Sequence, residues 1–226
     1  TVDGKVTDKW EIPTRKEENG KYILEDIAKS VKERMQRDTL ILEDIAGLGI
    51  GVPGPVKEDG TVLKCANLGW GVFNVADTVR ELTGIENVKV GNDANVAALG
   101  EMWQGGGKGY NNLVMVTLGT GVGGGVILGG KILTGSNGAG GEIGHIRVNY
   151  EEKDVCGCGK TGCLEQYASA TGVVRLAKKA LEKKEKKTTL VADDLSAKAV
   201  FDAAKAGDEL AMDIVEEFGF YLGMAL

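Results

Sequence analysis

The feature that most constrains this chain is the stretch from Gly138 to Ser169, GAGGEIGHIRVNYEEKDVCGCGKTGCLEQYAS. It carries the protein's only histidine, His145, and three of its four cysteines, Cys156, Cys158 and Cys163. Thiolates and a neutral imidazole are the ligands that tetrahedral zinc prefers, and three cysteines with one histidine form a closed structural set. The cysteine spacing is C-x-C-x4-C, with glycine at 157, 159 and 162, so a short backbone can fold back and turn all three sulfurs toward one point. The alternative is a few buried, reduced cysteines beside an unrelated histidine, and three thiols packed this closely argue against it. A zinc held by four side chains is structural. What it would staple matters more: Glu142 precedes the histidine by three residues and Glu165 follows the last cysteine by two, so the metal would gather two carboxylates and an imidazole into one small region.

Glycine is the other outlier, at 35 of 226 residues. The glycines cluster at 47–54, 69–71, 105–109, 119–125, 129–130 and 138–144, the pattern of tight turns and close-approach loops in a ligand-binding α/β protein. The length fits one or two domains with a sizeable core, and mixed charge with ordinary apolar content marks a folded, soluble chain. A formal net charge of −6 argues against a nucleic-acid groove or an anionic membrane as partner. No apolar run approaches bilayer-spanning length, and no secretory leader is visible. The cysteines form no even, spread-out disulfide framework, so a reducing cytoplasm fits best, and Cys65 reads as a small buried hydrophobe.

Along the chain, Asp3-Gly4 reads as a hairpin turn leading into a strand over Lys5–Ile12. Tyr22 to Arg37 has the apolar spacing of an amphipathic helix. Ile45–Gly51 is a short strand ending in GIGVPGPV, and Thr61–Lys64 a further candidate strand. Asn74 caps a helix that Gly84 ends near Thr83. Val88–Gly91 is a buried strand, after which Asp93 opens a helix through Trp103. Residues 104–112 are the best linker candidate, dividing an N-terminal lobe, 1–110, from a C-terminal lobe, 111–226. Strands are expected at Leu113–Leu118, Val126–Leu128 and after the Gly129-Gly130 turn. Helices follow from Thr171 to about Lys184, from a Ser196 cap to Ala206, and from an Asp208 cap to the end. The Lys/Glu run at 182–187 reads as a solvated helix end. Strands and helices alternate throughout, the signature of the α/β class. TVDGKV at 1–6 echoes ILGGKI at 127–132, which suggests related halves and a chain that begins inside its first lobe and stops within a helix.

Two G-x-G-x-x-G strings occur, at 49–54 and 119–124, but neither lies between a strand and a helix, as a dinucleotide site requires. Lys160-Thr161 hints at a P-loop, yet the required leading glycine is Asp154. The glycine-rich loop Leu118-Gly119-Thr120-Gly121-Val122-Gly123-Gly124 instead joins two strands; it reads equally as a plain hairpin turn or as a cradle whose N–H groups converge on a phosphate, with the Thr120 hydroxyl as an added donor. Asn92-Asp93 lies where a strand ends and a helix begins. Asp93 as a mere N-cap is the simplest interpretation, but ligands bind at strand C-terminal ends, and a carboxylate there can take a proton from a substrate hydroxyl. Beside a phosphate loop and a carboxylate-rich zinc site, the general-base reading gains weight.

GIGVPGPV (49–56), VGNDANVAALGE (90–101), LGTGVGGG (118–125), GAGGEIGH (138–145) and CGCGKTGCLEQYAS (156–169) together resemble the ROK family of bacterial sugar kinases and repressors, and most of all its glucokinases. The resemblance covers nearly the whole chain. It implies an actin-like ATPase (ribonuclease H-like) fold of two α/β lobes with an interlobe cleft, and transfer of phosphate from ATP with magnesium to a hexose, glucose first. N-acetylmannosamine, N-acetylglucosamine or fructose are alternative substrates, and a sugar-responsive repressor is the alternative function. It further implies Asp93 as general base for the sugar 6-hydroxyl, with Asn92 beside it and Glu142, His145 and Glu165 on the other hydroxyls. Gly119, Thr120 and Gly121 would cradle phosphates, His145, Cys156, Cys158 and Cys163 would hold zinc, and the assembly would be a homodimer. The family's N-terminal D-x-G-G-T phosphate motif and most of its adenosine region are missing from these residues, so they are expected to transfer phosphate poorly.

Overall fold

A computed structural model describes residues 3–183 and 186–226, which divide into two units. The first comprises 1–115 and 125–141, the second 116–124 and 142–226. Residues 1 and 2 of the N-terminal echo and residues 184 and 185 of the Lys/Glu run lie outside the described residues.

In the first unit a single irregular turn, α1 (Glu17–Gly20), precedes the long amphipathic helix α2 (Ile23–Arg37), which buries Ile23, Leu24 and Ala28. Parallel strands β1 (Leu48–Val52) and β4 (Val88–Asn92) pair in register from Leu48↔Val88 to Val52↔Asn92. The crossover between them holds a two-stranded ribbon, β2 (Thr61–Val62) with β3 (Phe73–Asn74), and helix α3 (Val75–Thr83). Asn74 caps α3 through Asp77 N–H, and Gly84 ends it in the left-handed conformation. Val52, Val62, Cys65, Trp70, Val75, Val79 and Val88 form the core. Helix α4 (Asp93–Gln104) follows β4 directly. The run 104–112 belongs to this unit, turning back on α4 through Gly105 N–H and Gly107 N–H to Glu101 O.

Two expectations need correction here. Residues 5–12 form no strand: they pair with none among the described residues and are tied to α2 by side chains instead. Trp10 Nε1 donates to Ser30 Oγ at 2.8 Å, Arg34 lies over the Trp10 ring, and Arg15 makes a bidentate pair with Asp26. Alternating side chains suit either arrangement, and without a partner ladder the ionic ties decide. The glycines after Gly121 are also not a turn. Strand β6 (Val122–Leu128) begins at Val122 and stands between β5 (Leu113–Leu118) and β7 (Lys131–Ile132). A Cβ on Gly125 would lie 2.5 Å from Ala98 Cβ and 2.8 Å from Ala94 O, so the glycine lets this strand approach α4 closely.

The second unit packs α5 (Glu165–Ala168), α6 (Ala170–Lys183), α7 (Ala197–Lys205) and α8 (Glu209–Ala225) around Leu164, Tyr167, Val173, Ala177, Val200 and Ala211. Ser196 and Asp208 are the N-caps of α7 and α8. The segment leading to the cysteines is fastened to this core by polar contacts. Glu152 accepts from Tyr167 Oη at 2.7 Å and Arg175 Nη1 at 3.0 Å, and Asn149 Nδ2 donates to the hydroxyls of Tyr167 and Tyr221. Burial pushes the Glu152 carboxyl up, but the Tyr167 hydroxyl, the Asp154 N–H and Arg175 outweigh it and hold it at about 2.

That balance predicts acid sensitivity. A carboxyl held below its ordinary value stabilises the fold fully above about pH 4.3 and loses that contribution as pH falls through 2. Glu152 is expected to contribute on the order of 2 kcal/mol at neutral pH, because its side chain is only 9% exposed. Thermal midpoints of the parent and Glu152→Gln between pH 5 and 2 check this: the gap should narrow with acid, and a constant gap refutes it.

Candidate functional site

The hook around the cysteines is built from two narrow reversals. Arg147 faces Cys163 across an antiparallel bridge, with Val148 N–H bonded to Gly162 O and Leu164 N–H to Ile146 O. Val155 faces Thr161 in the same way, and Cys156 N–H donates to Lys160 O at 2.7 Å. Gly162 makes the first reversal possible: its φ is +73°, and a Cβ there would stand 1.7 Å from Asn149 O. Lys160 and Thr161, the P-loop look-alike, are simply part of the second reversal, and Lys160 Nζ donates to His145 O.

This folding brings the ligand atoms of His145, Cys156, Cys158 and Cys163 within 4.8 Å of one another. His145 Nδ1 is 3.8 Å from Cys156 Sγ, and the sulfurs of Cys158 and Cys163 are 3.6 Å apart. A tetrahedron with metal–sulfur bonds of about 2.3 Å has edges of about 3.8 Å. These two separations therefore match the corners of a zinc site, and the donor set fits the metal. Nδ1 is the ring nitrogen that enters the cluster, a choice that sequence could not make. Burial pushes the Cys156 and Cys163 thiols up. Burial also raises Cys158, the exposed member, but the Lys160 N–H and the neighbouring thiols outweigh it and draw this thiol down.

Glu165 opens α5 directly behind the hook. Its Oε1 accepts from Cys156 Sγ at 2.8 Å and lies 3.6 Å from His145 Nδ1. The Cys156 bond needs a protonated thiol, so it and metal ligation by Cys156 exclude each other. On its other side, a Cβ on Gly121 would come within 2.9 Å of Glu165 Oε2, so the 119–121 turn runs against this carboxylate. Ala170 N–H donates to Gly119 O and Thr171 Oγ1 to Thr120 O. Both carbonyls thus face the start of α6. In a trans peptide the N–H points opposite to the C=O, so the N–H groups of Thr120 and Gly121 face away from α6. Glu142 is exposed and precedes the short 3₁₀ turn Ile143–His145, its carbonyl accepting His145 N–H.

Asn92 and Asp93 belong to the first unit. The N-cap of α4 is Asn92, whose Oδ1 accepts from Ala94 and Asn95 N–H, while its Nδ2 donates to Gly54 O. Asp93 is therefore not the cap. It is the first helical residue, exposed, with Oδ1 accepting from its neighbour Ala94 N–H at 2.8 Å. Two residues on, Asn95 is buried with its Oδ1 unpartnered, the one such side-chain atom among the described residues. Sequence reading passed over it, although a second asparagine three residues after a capping one was the available signal.

The sequence profile of the ROK family matches residues 1–226. The chain belongs to the ROK family. It is 46% identical over its whole length to a glucokinase of Halalkalibacterium halodurans, of which it spans 70%. It is 34% identical over 90% of its length to the xylose repressor of Caldicellulosiruptor bescii, of which it spans about half, 52%. The solved ROK glucokinase of Streptomyces griseus, in complex with glucose and AMPPNP, matches all of the chain at 33% identity and a TM-score of 0.74, with 72% of that protein covered. The fold class is that of the ROK glucokinases, the actin-like ATPase fold. The ROK motifs carrying the cysteines and E-x-G-H coincide with the hook, and LGTG coincides with the turn beside Glu165.

Gly162→Ala should break the hook, since it adds both a left-handed β-carbon and a clash with Asn149 O. The expected result is zinc content well below one per chain, read by atomic emission on purified protein, while Gly157→Ala, with open space at its Cβ, retains zinc.

Proposed function

We propose that this ROK protein is an ATP-dependent hexose kinase that converts glucose to glucose 6-phosphate. The observation that carries the reading is the juxtaposition, within one unit, of a carboxylate and an imidazole (Glu165 and His145, 3.6 Å apart) with a glycine turn whose Thr120 and Gly121 N–H groups face away from α6. The 46% identity to a glucokinase over the whole chain supports it.

In this reading Glu142, His145 and Glu165 hold ring hydroxyls. Asn92 spends its amide oxygen on capping α4 and keeps one amide N–H for a neighbouring hydroxyl. Asp93 accepts the proton of the 6-hydroxyl as its oxygen attacks the γ-phosphorus of ATP. The bond to the β–γ bridging oxygen breaks, ADP leaves, and the proton stays on the Asp93 carboxylate. The turn Gly119, Thr120 and Gly121 cradles phosphate oxygens through the Thr120 and Gly121 N–H groups, the Gly119 N–H being held by Gly121 O at 3.0 Å, and magnesium, when bound with ATP, would neutralise phosphate charge. His145, Cys156, Cys158 and Cys163 would hold zinc, which would supply folding energy to the hook and take no part in transfer. The two lobes, 1–110 and 111–226, a homodimeric assembly and a cytoplasmic location belong to the same proposal, with neither nucleic acid nor membrane as partner.

Glucose selectivity would come from buried donors and acceptors, each costing about 1–3 kcal/mol when left unpaired by an epimer. A panel of glucose, fructose, N-acetylglucosamine and N-acetylmannosamine decides among the hexoses. The second reading, a sugar-responsive repressor, is favoured by the likeness to the xylose repressor and predicts sugar binding without ATP turnover. In a coupled assay on the full-length protein, Asp93→Asn should lower kcat roughly 10²–10⁴-fold with an unchanged thermal midpoint. Retained turnover removes Asp93 from its role.

A further inference from the structure

The neck of the hook is closed by side chains that no zinc motif includes. Gln166 is buried, and both ends of its amide are engaged: Oε1 accepts Cys163 N–H at 3.0 Å, and Nε2 donates to Asp154 O at 2.9 Å. It thereby joins the residue two positions before the first ligand cysteine to the last ligand cysteine itself. Arg175 reaches the same place from α6. Its Nε and Nη2 donate to Gln166 O at 3.2 and 3.0 Å, and its Nη1 pairs with Glu152 at 3.0 Å and Asp154 at 2.8 Å. Its guanidinium also lies over the Tyr167 ring. Lys179, one turn further along α6, pairs with Asp154 at 2.5 Å.

We propose that Gln166 and Arg175 are positioning residues that hold the neck of the hook closed without metal, so that the zinc ligands are assembled before zinc arrives and Glu165 is fixed in direction. The inference rests on the zinc-hook reading of the proposed function. A hook closed only by its metal would open on zinc loss and would bind zinc at the full cost of ordering the loop. Here the loop from Asp154 to Cys163 is tied at both ends to Gln166 of α5, a helix whose Tyr167 and Ala168 belong to the core of its unit, and Arg175 of α6 holds both Gln166 and Asp154. Glu165 lies between Leu164, wholly buried, and Gln166, anchored three ways, so the peptide that carries its side chain has little freedom. Arginine suits the anchor because one planar group serves a carbonyl and two carboxylates at once, which a lysine cannot do.

Gln166→Met keeps the length and bulk of the side chain and removes both hydrogen bonds. In the full-length protein it should release zinc to a chromophoric chelator about 10–100-fold more readily than the parent. Val200→Ala, a buried site on α7, serves as the control for general loosening. In zinc-free protein, the Cys163 amide should be protected from hydrogen exchange in the parent and exchange roughly 10-fold or more faster in Gln166→Met. Should Gln166→Met fail to fold, Gln166→Glu, which keeps the acceptor for Cys163 N–H and loses the donor to Asp154, should release zinc faster than the parent. Parental zinc retention in the variant tested, equal zinc loss in Val200→Ala, or an unprotected Cys163 amide in the zinc-free parent would each overturn the proposal. Neither measurement requires kinase activity, so a failure here and a failure of the kinase reading remain distinguishable.

Discussion

The second unit depends on a chain reversal that only glycine permits. At Gly162 the backbone turns with φ of +73° under the Asn149 carbonyl, and Val148, Asn149 and Leu164 close the bridge around it. A side chain at this position has nowhere to go. The reversal sets Cys163 beside Arg147 in the segment that follows His145, and from that one placement the rest follows: the sulfur faces Cys158, its amide meets Gln166, and Glu165 emerges at the start of α5 against both the hook and the 119–121 turn. The gathering of the four candidate metal ligands and the placing of the Glu165 carboxylate against the 119–121 turn are thus consequences of one backbone geometry, which a single β-carbon would disturb together.

The half-buried ion pair of Glu152 and Arg175 behind the hook is a device for direction. Charges taken from water repay their desolvation only with good geometry, and removing one partner of such a pair is costly because the other is left uncompensated. Glu152 satisfies that condition with five donors: Tyr167 Oη, Arg175, Lys179 and the N–H groups of Lys153 and Asp154. An apolar filler of equal volume could hold the segment near the core, but it would not set which way Asp154 presents its carbonyl to Gln166. The orientation of one carbonyl is what the neck of the hook uses.

What could be read from sequence was what is local. The Cys3His set was legible because three of its ligands fall within eight positions, and the helices α2, α3 and α6–α8 were legible from period and caps. The glycines of β6 were read as a turn because sequence records their freedom and not their use: Gly125 serves the approach of a helix, not a reversal. Asn92 and Asp93 are both good capping residues side by side, and only the backbone decides which one caps; once Asn92 takes that task, the carboxylate of Asp93 is left for other work. The N-terminal segment fails for a related reason, since alternation cannot distinguish a strand from an extended chain held by Trp10, Arg15 and Asp8 against a helix.

Gln166 and Arg175 were invisible for a deeper reason. A glutamine between a motif glutamate and a tyrosine has no pattern of its own, and an arginine on an amphipathic helix reads as part of a solvated face. Their partners are contributed by a segment whose path is set by the glycine reversal. The ligands of a metal can be deduced from their chemistry alone, but the groups that orient those ligands act through backbone atoms, which every residue possesses and no sequence distinguishes. A site assembled in this way is specified twice: once by residues whose chemistry is unusual, and again by ordinary residues whose positions are.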